Sequence, residues 1–136
     1  MAAGLPLKCV VTCFLECGGR ILLLRRSQDV GSFRGKWAGV SGYIETTALQ
    51  QAYIEIAEEL GLQQYEVELV SIGRSVEVEG EGVVWIVHPF LFSVKDKEKI
   101  SIDREHSEMR WVEAEEIGGY DTVPMLKEAL AEVYNF

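Results

Sequence analysis

Residues 42–62 read GYIETTALQQAYIEIAEELGL, and this stretch decides how the chain is interpreted. Thr47 followed by Gln50 has the pattern of a capping box opening a helix, and Gly61 is a natural helix stop. At about 100° per residue, Leu49, Ala52, Tyr53, Ile56 and Leu60 fall in one narrow apolar stripe, the face a helix turns toward a core. Glu55, Glu58 and Glu59 fall together on a different flank, at i, i+3 and i+4, where like charges repel. The stretch contains no Lys or Arg, so its carboxylates are not balanced from within. Three sources of counter-charge compete. Solvent and salt serve most charge runs. Bases from elsewhere, Arg25, Arg26, Arg34 or Lys36, are a second source. A divalent cation is the third, because Mg²⁺ takes hard oxygen ligands from a few carboxylates, waters and substrate phosphates. A carboxylate left unliganded could then act as base toward a metal-bound water.

Working outward, Leu7–Cys17 reads as a strand, Gly18-Gly19 as a hairpin turn and Arg20–Arg26 as the returning strand. A polar loop with two glycines follows, and residues 38–45 read as a strand interrupted by a turn. Beyond the helix, residues 65–79 and Val83–Val94 are two strand-like runs joined at Gly80-Glu81-Gly82, with Pro89 suggesting an edge or a bulge in the second. Residues 95–99 read as a charged turn, 109–112 as a strand and 113–117 as a short helical turn. A last helix opens near Pro124, with apolar repeats at Met125, Leu126, Ala129, Leu130 and Val133. This order predicts an α/β fold, a mixed sheet covered by helices.

The chain of 136 residues fits one domain over 1–136, with enough sequence for a real core. A hydrophobic fraction of 48% and a charged fraction of 26% are those of a soluble globular protein. Its 22 acids against 13 bases give a net charge of -9, which repels nucleic acid and anionic membranes. No apolar run approaches the roughly 20 residues of a membrane span, and MAAGLPLK lacks the basic and apolar regions of a secretory leader. The expected location is cytoplasmic. Cys9, Cys13 and Cys17 recur every four residues, which on a strand separates them by roughly 13 Å, too far for a shared metal or a disulfide. They read as reduced thiols on one strand face.

GYIE followed by EIAEELGL resembles the Nudix hydrolase (MutT-like) signature: Gly, five residues, Glu, seven residues, Arg-Glu, then Glu-Glu and a helix-ending Gly. Glu55, Ile56, Ala57, Glu58, Glu59, Leu60, Gly61 and Leu62 match its second half. ILLLRRS, RGKWAGVSGYIE and EHSEMRWVEAEEI are similar to the family's second strand, box approach and late strand, so the likeness covers most of the chain. The first half departs. Gly42 to Glu55 spans thirteen steps, two short of the signature; Ile54 stands where Arg is expected, and the early Glu has no counterpart. In the family, that Arg and that Glu support the loop and orient the catalytic carboxylates. Their loss implies a weakened shell around an intact ligand set, a change of the kind that costs about 10–100-fold in metal affinity or activity.

The resemblance implies an α/β/α sandwich and Mg²⁺- or Mn²⁺-dependent hydrolysis of a nucleoside diphosphate linked to another group. It implies Glu55, Glu58 and Glu59 as metal ligands, one of them serving as base, with the carbonyl of Ser41 or Gly42 completing the coordination. Glu45 is a weaker candidate, and Gly42, Glu45 and Gly61 shape the box. Arg25, Arg26, Arg34 and Lys36 flank the box and are candidates to hold phosphates. Trp37 is expected to pack the box against the sheet. Trp85 and Phe90 are candidates to stack on a base, although core packing suits both. Glu105 and Glu108 lie where relatives place a further acid, while His88 and His106 are too far apart in sequence to suggest a site. The expected partner is a small nucleotide-like diphosphate, not a membrane or nucleic acid; a homodimer is allowed without any pattern arguing for it. The rivals are a Nudix-fold binding or regulatory domain without turnover, favoured by Ile54 and the short loop, and an acidic interaction module without metal.

Overall fold

The computed structural model describes residues 4–135; residues 1–3, part of the leader reading, and residue 136 lie outside them. The strands are β1 (Leu7–Cys17), β2 (Arg20–Arg26), β3 (Trp37–Ala38), β4 (Val40–Tyr43), β5 (Val67–Ile72), β6 (Val76–Gly80), β7 (Val83–Val94) and β8 (His106–Val112). The helices are α1 (Ala48–Leu60) and α2 (Leu126–Ala131), with single helical turns at Gln64–Glu66, Lys97–Lys99 and Ala114–Gly119. Among the described residues no helix is long and apolar enough to cross a membrane.

At the centre, β1 and β7 run parallel, Leu7 opposite Val84 through Glu16 opposite Ser93. The rest of the mixed sheet is antiparallel. β5 and β6 share the far side of β7. β1 forks: Val10–Cys13 pairs with β4, whereas only its end, Glu16 and Cys17, pairs with β2. β2 in turn carries β3 on one side and β8 on the other. This fork opens the floor on which the site is built.

Two cores sandwich the sheet, and strand alternation sorts side chains between them. Val11, Cys13, Leu15, Leu22 and Leu24 face α1, meeting Ala52, Ile56 and Leu60 of the stripe, with Leu49 and Tyr53 partly buried beside them. Burying Ile56 and Leu60 contributes about 1.5–3 kcal/mol each. Phe14, Ile21 and Leu23 face the other way, onto Leu126, Ala129 and Leu130 of α2 and onto Ile117. The architecture is α/β/α.

Helix α1 begins and ends where its sequence signals it. The Thr47 hydroxyl accepts the Gln50 N–H at 3.2 Å, and Gly61 closes the helix at φ 70°, in the left-handed region.

Three local expectations change. The 65–79 run is not one strand: it opens in the Gln64–Glu66 turn and breaks at 73–75 into β5 and β6, which pair with different halves of β7. β7 is not an edge strand: Pro89 sits opposite the gap between β5, which ends at Ile72, and β6, which starts at Val76. A residue without an N–H is tolerated where the partner strand is interrupted, and its carbonyl still accepts from Gly73 at 3.1 Å. Trp37 does not pack the box helix. It pairs with Arg25, so alternation turns it to the α2 side, edge-on to Tyr120 at 5.5 Å. The three cysteines are free thiols, as expected.

Candidate active site

Helix α1 delivers its three acids to three different environments. Glu58 is exposed, Glu55 is half-buried, and Glu59 is only 2% exposed. Glu55 reaches the sheet because Gly42 has no side chain. Gly42 pairs with Val11 on the face that looks at α1, and a Cβ there would collide with the Glu55 carboxyl. Gln51, at 3% exposure, donates from Nε2 to Glu55 Oε2 at 2.8 Å.

Glu59 lies behind this pair. Burial first, then the proximity of Glu55, Glu105 and Asp103, pushes its carboxyl up to about 10. Glu55 is also raised, chiefly by burial, but contacts with Glu59 and Gln51 oppose that rise. The two carboxyls titrate as a coupled pair, and burial with mutual proximity favours keeping a proton on Glu59.

A residue that its sequence position did not recommend completes the back of the site. The segment after α1 docks on the helix end, Ser101 N–H donating to the Leu60 carbonyl at 3.0 Å and Asp103 N–H to that of Glu59 at 3.1 Å. Asp103 Oδ1 then lies 3.0 Å from His106 Nδ1, and His106 Nε2 lies 3.5 Å from Glu59 Oε1. Burial lowers the imidazole's pKa from its ordinary value, while the contact with Asp103 opposes that shift. The only signal for this in the sequence was the DREH run, which has no periodicity to announce it.

A cavity of about 330 Å³ opens in front of the acids. Glu45, Glu55, Glu105, Ser41 and Gly42 line one part of it, together with Arg26. Of the four flanking bases only Arg26 lines the cavity. Its Nε donates to the Ser32 carbonyl at 2.9 Å, and burial lowers its pKa while Glu59, Glu105 and Glu81 oppose that shift. Arg25 turns to Glu108 at 3.2 Å, Lys36 to Asp121 at 2.8 Å, and Arg34 to the Val30 carbonyl at 2.8 Å. The odd–even alternation at the end of β2 separates Arg25 from Arg26. Glu105 shares the cavity, its carboxyl raised mainly by burial and by Asp103, whereas Glu108 stays outside on the Arg25 pair.

The other part of the cavity is apolar: Val10, Val78, Val87, Phe33 and Trp85. Trp85 donates its indole N–H to the Gly80 carbonyl at 3.0 Å, stacks with Tyr43 at 6.2 Å and 19°, and meets Phe33 at 5.7 Å. Phe33 holds a left-handed φ of 48°, its N–H bound by both Glu81 carboxylate oxygens at 3.1 and 3.2 Å, so the hairpin tip fixes the loop over the cavity. Phe90 is core, packed against Phe92. His88 lies on β7 opposite Val11 and does not line the cavity.

Among the described residues no three His, Cys, Asp or Glu side chains already converge as a bound ion would hold them. The donor set nevertheless fits a divalent cation. Glu55 and Glu59 are in contact, and Glu59 Oε2 is buried without a hydrogen-bond partner among the described residues. Two carboxyls that close must share either a proton or a cation, and hard oxygen donors of this kind suit Mg²⁺ or Mn²⁺.

Comparison with known proteins agrees with this geometry. A search of curated proteins by sequence found no match. Among solved structures, a MutT protein from Methanosarcina mazei Go1 superimposes with a TM-score of 0.80 at 24% identity, covering 96% of this chain and 94% of that one. An Escherichia coli dihydroneopterin triphosphate pyrophosphohydrolase gives 0.73 at 22% identity, over 92% and 94% of the two chains. A Caenorhabditis elegans Ap4A hydrolase gives 0.73 at 16%, over 93% of each. These likenesses establish the fold. The family model described as NUDIX domain matches residues 6–135, nearly the whole chain. The chain therefore belongs to the NUDIX family, hydrolases that act on phosphoric anhydride bonds in nucleoside diphosphate derivatives and typically use divalent metals.

Proposed function

We propose that this protein is a Mg²⁺- or Mn²⁺-dependent pyrophosphohydrolase acting on a nucleotide or nucleotide-like diphosphate. One observation carries the reading: a single cavity joins the carboxyls of Glu55 and Glu105 and the Arg26 guanidinium to an aromatic wall of Trp85 and Phe33. A diphosphate with a flat heterocycle attached needs both kinds of surface. The similarity to an Ap4A hydrolase and a dihydroneopterin triphosphate pyrophosphohydrolase is in keeping with that class.

Glu55 and Glu59 are the carboxylates that would hold the cation, with Glu58 on the exposed flank and the Ser41–Gly42 backbone beside them. The cation would neutralise charge developing on the diphosphate oxygens. Arg26 would bind a phosphate, exchanging its bond to Ser32 for a charge-assisted one. Glu105, a carboxyl of raised pKa on the cavity wall and outside the ligand pair, is suited to take a proton from attacking water. His106 lies behind Glu59, its Nε2 3.5 Å from Glu59 Oε1.

The test is a panel of nucleoside triphosphates, dinucleoside polyphosphates and nucleotide sugars with Mg²⁺ or Mn²⁺, scored for phosphate and pyrophosphate release. At least one is cleaved, and Glu58→Gln with Glu59→Gln abolishes cleavage. Activity unchanged by the double substitution would refute the metal assignment; nucleotide binding without turnover would replace the enzyme by a binding domain.

A further inference from the structure

The shortened box raises a question that its acids do not answer. With two residues missing before α1 and Ile54 in place of Arg, the loop and Glu55 need another support. Ile54 is not that support, being 39% exposed on the outer face of the helix.

Gln51 lies in the first turns of α1 and is buried. Its Oε1 accepts the backbone N–H of Glu45 at 3.0 Å, and its Nε2 donates to Glu55 Oε2 at 2.8 Å. A backbone N–H can only donate, so the amide cannot be turned round: the oxygen must face Glu45 and the NH₂ must face Glu55. One side chain thus ties the short loop to the helix and presents a donor to the carboxylate one turn on. Gly42 forms the opposite wall, leaving no room for Glu55 to swing toward β4.

We infer that Gln51 is the positioning residue for Glu55, performing through a neutral amide the orientation that the box otherwise assigns to Arg. This rests on the metal-dependent reading proposed above. Gln51 acts through Glu55 and does not itself touch substrate. A donor aimed at Glu55 favours its ionised form, the form that binds a cation, against the opposing effect of burial. An amide adds no charge, so it does not compete with the cation as a guanidinium would.

The test uses Gln51→Glu and Gln51→Met in the full chain, with Gln51→Leu as a second apolar variant, and has two readouts. The first is metal-independent: the exchange rate of the Glu45 amide by NMR in the presence of chelator. Slow exchange in the native protein and in Gln51→Glu, which keeps an acceptor, with fast exchange in Gln51→Met, supports the tie. Equal exchange in all three overturns it. The second is Mn²⁺ affinity without nucleotide, read from free Mn²⁺ by electron paramagnetic resonance. Gln51→Met should lose about 10–100-fold, since it lacks the donor to Glu55, and Gln51→Leu the same. Native affinity, within twofold, in either apolar variant overturns the positioning role, so one folded variant decides the matter. A native protein that binds no Mn²⁺ while its Glu45 amide is protected removes the metal reading and, with it, the role toward Glu55, yet leaves the loop tie standing.

Discussion

Glu59→Gln should remove a specific pH dependence from the metal-free protein. Folded Glu59 keeps its proton up to about 10, while in the unfolded chain it ionises near the ordinary value of 4.5. Between those values the folded state binds one proton more, so the stability Glu59 contributes is complete below the lower value and is lost as pH rises toward the upper. The slope is about 1.4 kcal/mol per pH unit for one proton. It depends on the folded pKa lying above the working range, not on how far above. From pH 6.5 to 8.5 the native protein should lose about 2.7 kcal/mol relative to Glu59→Gln, whose amide mimics the protonated acid and does not titrate. Urea unfolding in chelator measures this. With a slope of about 1–3 kcal/mol per molar urea, the native midpoint falls by about 1 M or more against the variant. Glu55, Glu105 and His106 are present in both proteins and largely cancel in the difference. Parallel stability curves for the two proteins would refute the buried, protonated Glu59. Added Mn²⁺ should stabilise the native protein increasingly as pH rises, because a cation requires the ionised acid.

Three further outcomes follow from the site. Gly42→Ala places a Cβ against the Glu55 carboxyl and should lower kcat by about 100-fold with nearly unchanged circular dichroism. Arg26→Ala should raise KM about tenfold or more by removing the cation that lines the cavity, while Arg25→Ala and Lys36→Ala stay close to native in steady-state kinetics. Ile54→Arg should leave kcat/KM within about threefold, because Gln51 already holds Glu55 and position 54 points outward; a large gain would mean that the support is still missing.

The sequence by itself determined what short-range physics can encode. The caps at Thr47 and Gly61, the apolar stripe of α1, the Gly18-Gly19 hairpin and the strand runs other than 65–79 were legible because each is set by neighbours within a turn or a pleat. The clustering of Glu55, Glu58 and Glu59 on one flank was legible for the same reason. Their separate fates were not. Whether an acid on that flank ends exposed, half-buried or sealed depends on what the sheet and the 100–106 segment bring against it. Only the fold seats Asp103 and His106 behind Glu59, 44 and 47 residues away in the chain. The same holds for the bases: four flank the box in sequence, but the β2–β8 pairing sends Arg25 to Glu108 and leaves Arg26 in the cavity. Gln51 shows the limit most clearly. As a letter in ETTALQQAYI it marked a departure from the signature, and only burial against Glu45 and Glu55 gives its amide a direction. Periodicity fixes which face a residue occupies; the partner waiting there is supplied by residues far away in the chain, and that choice belongs to tertiary structure.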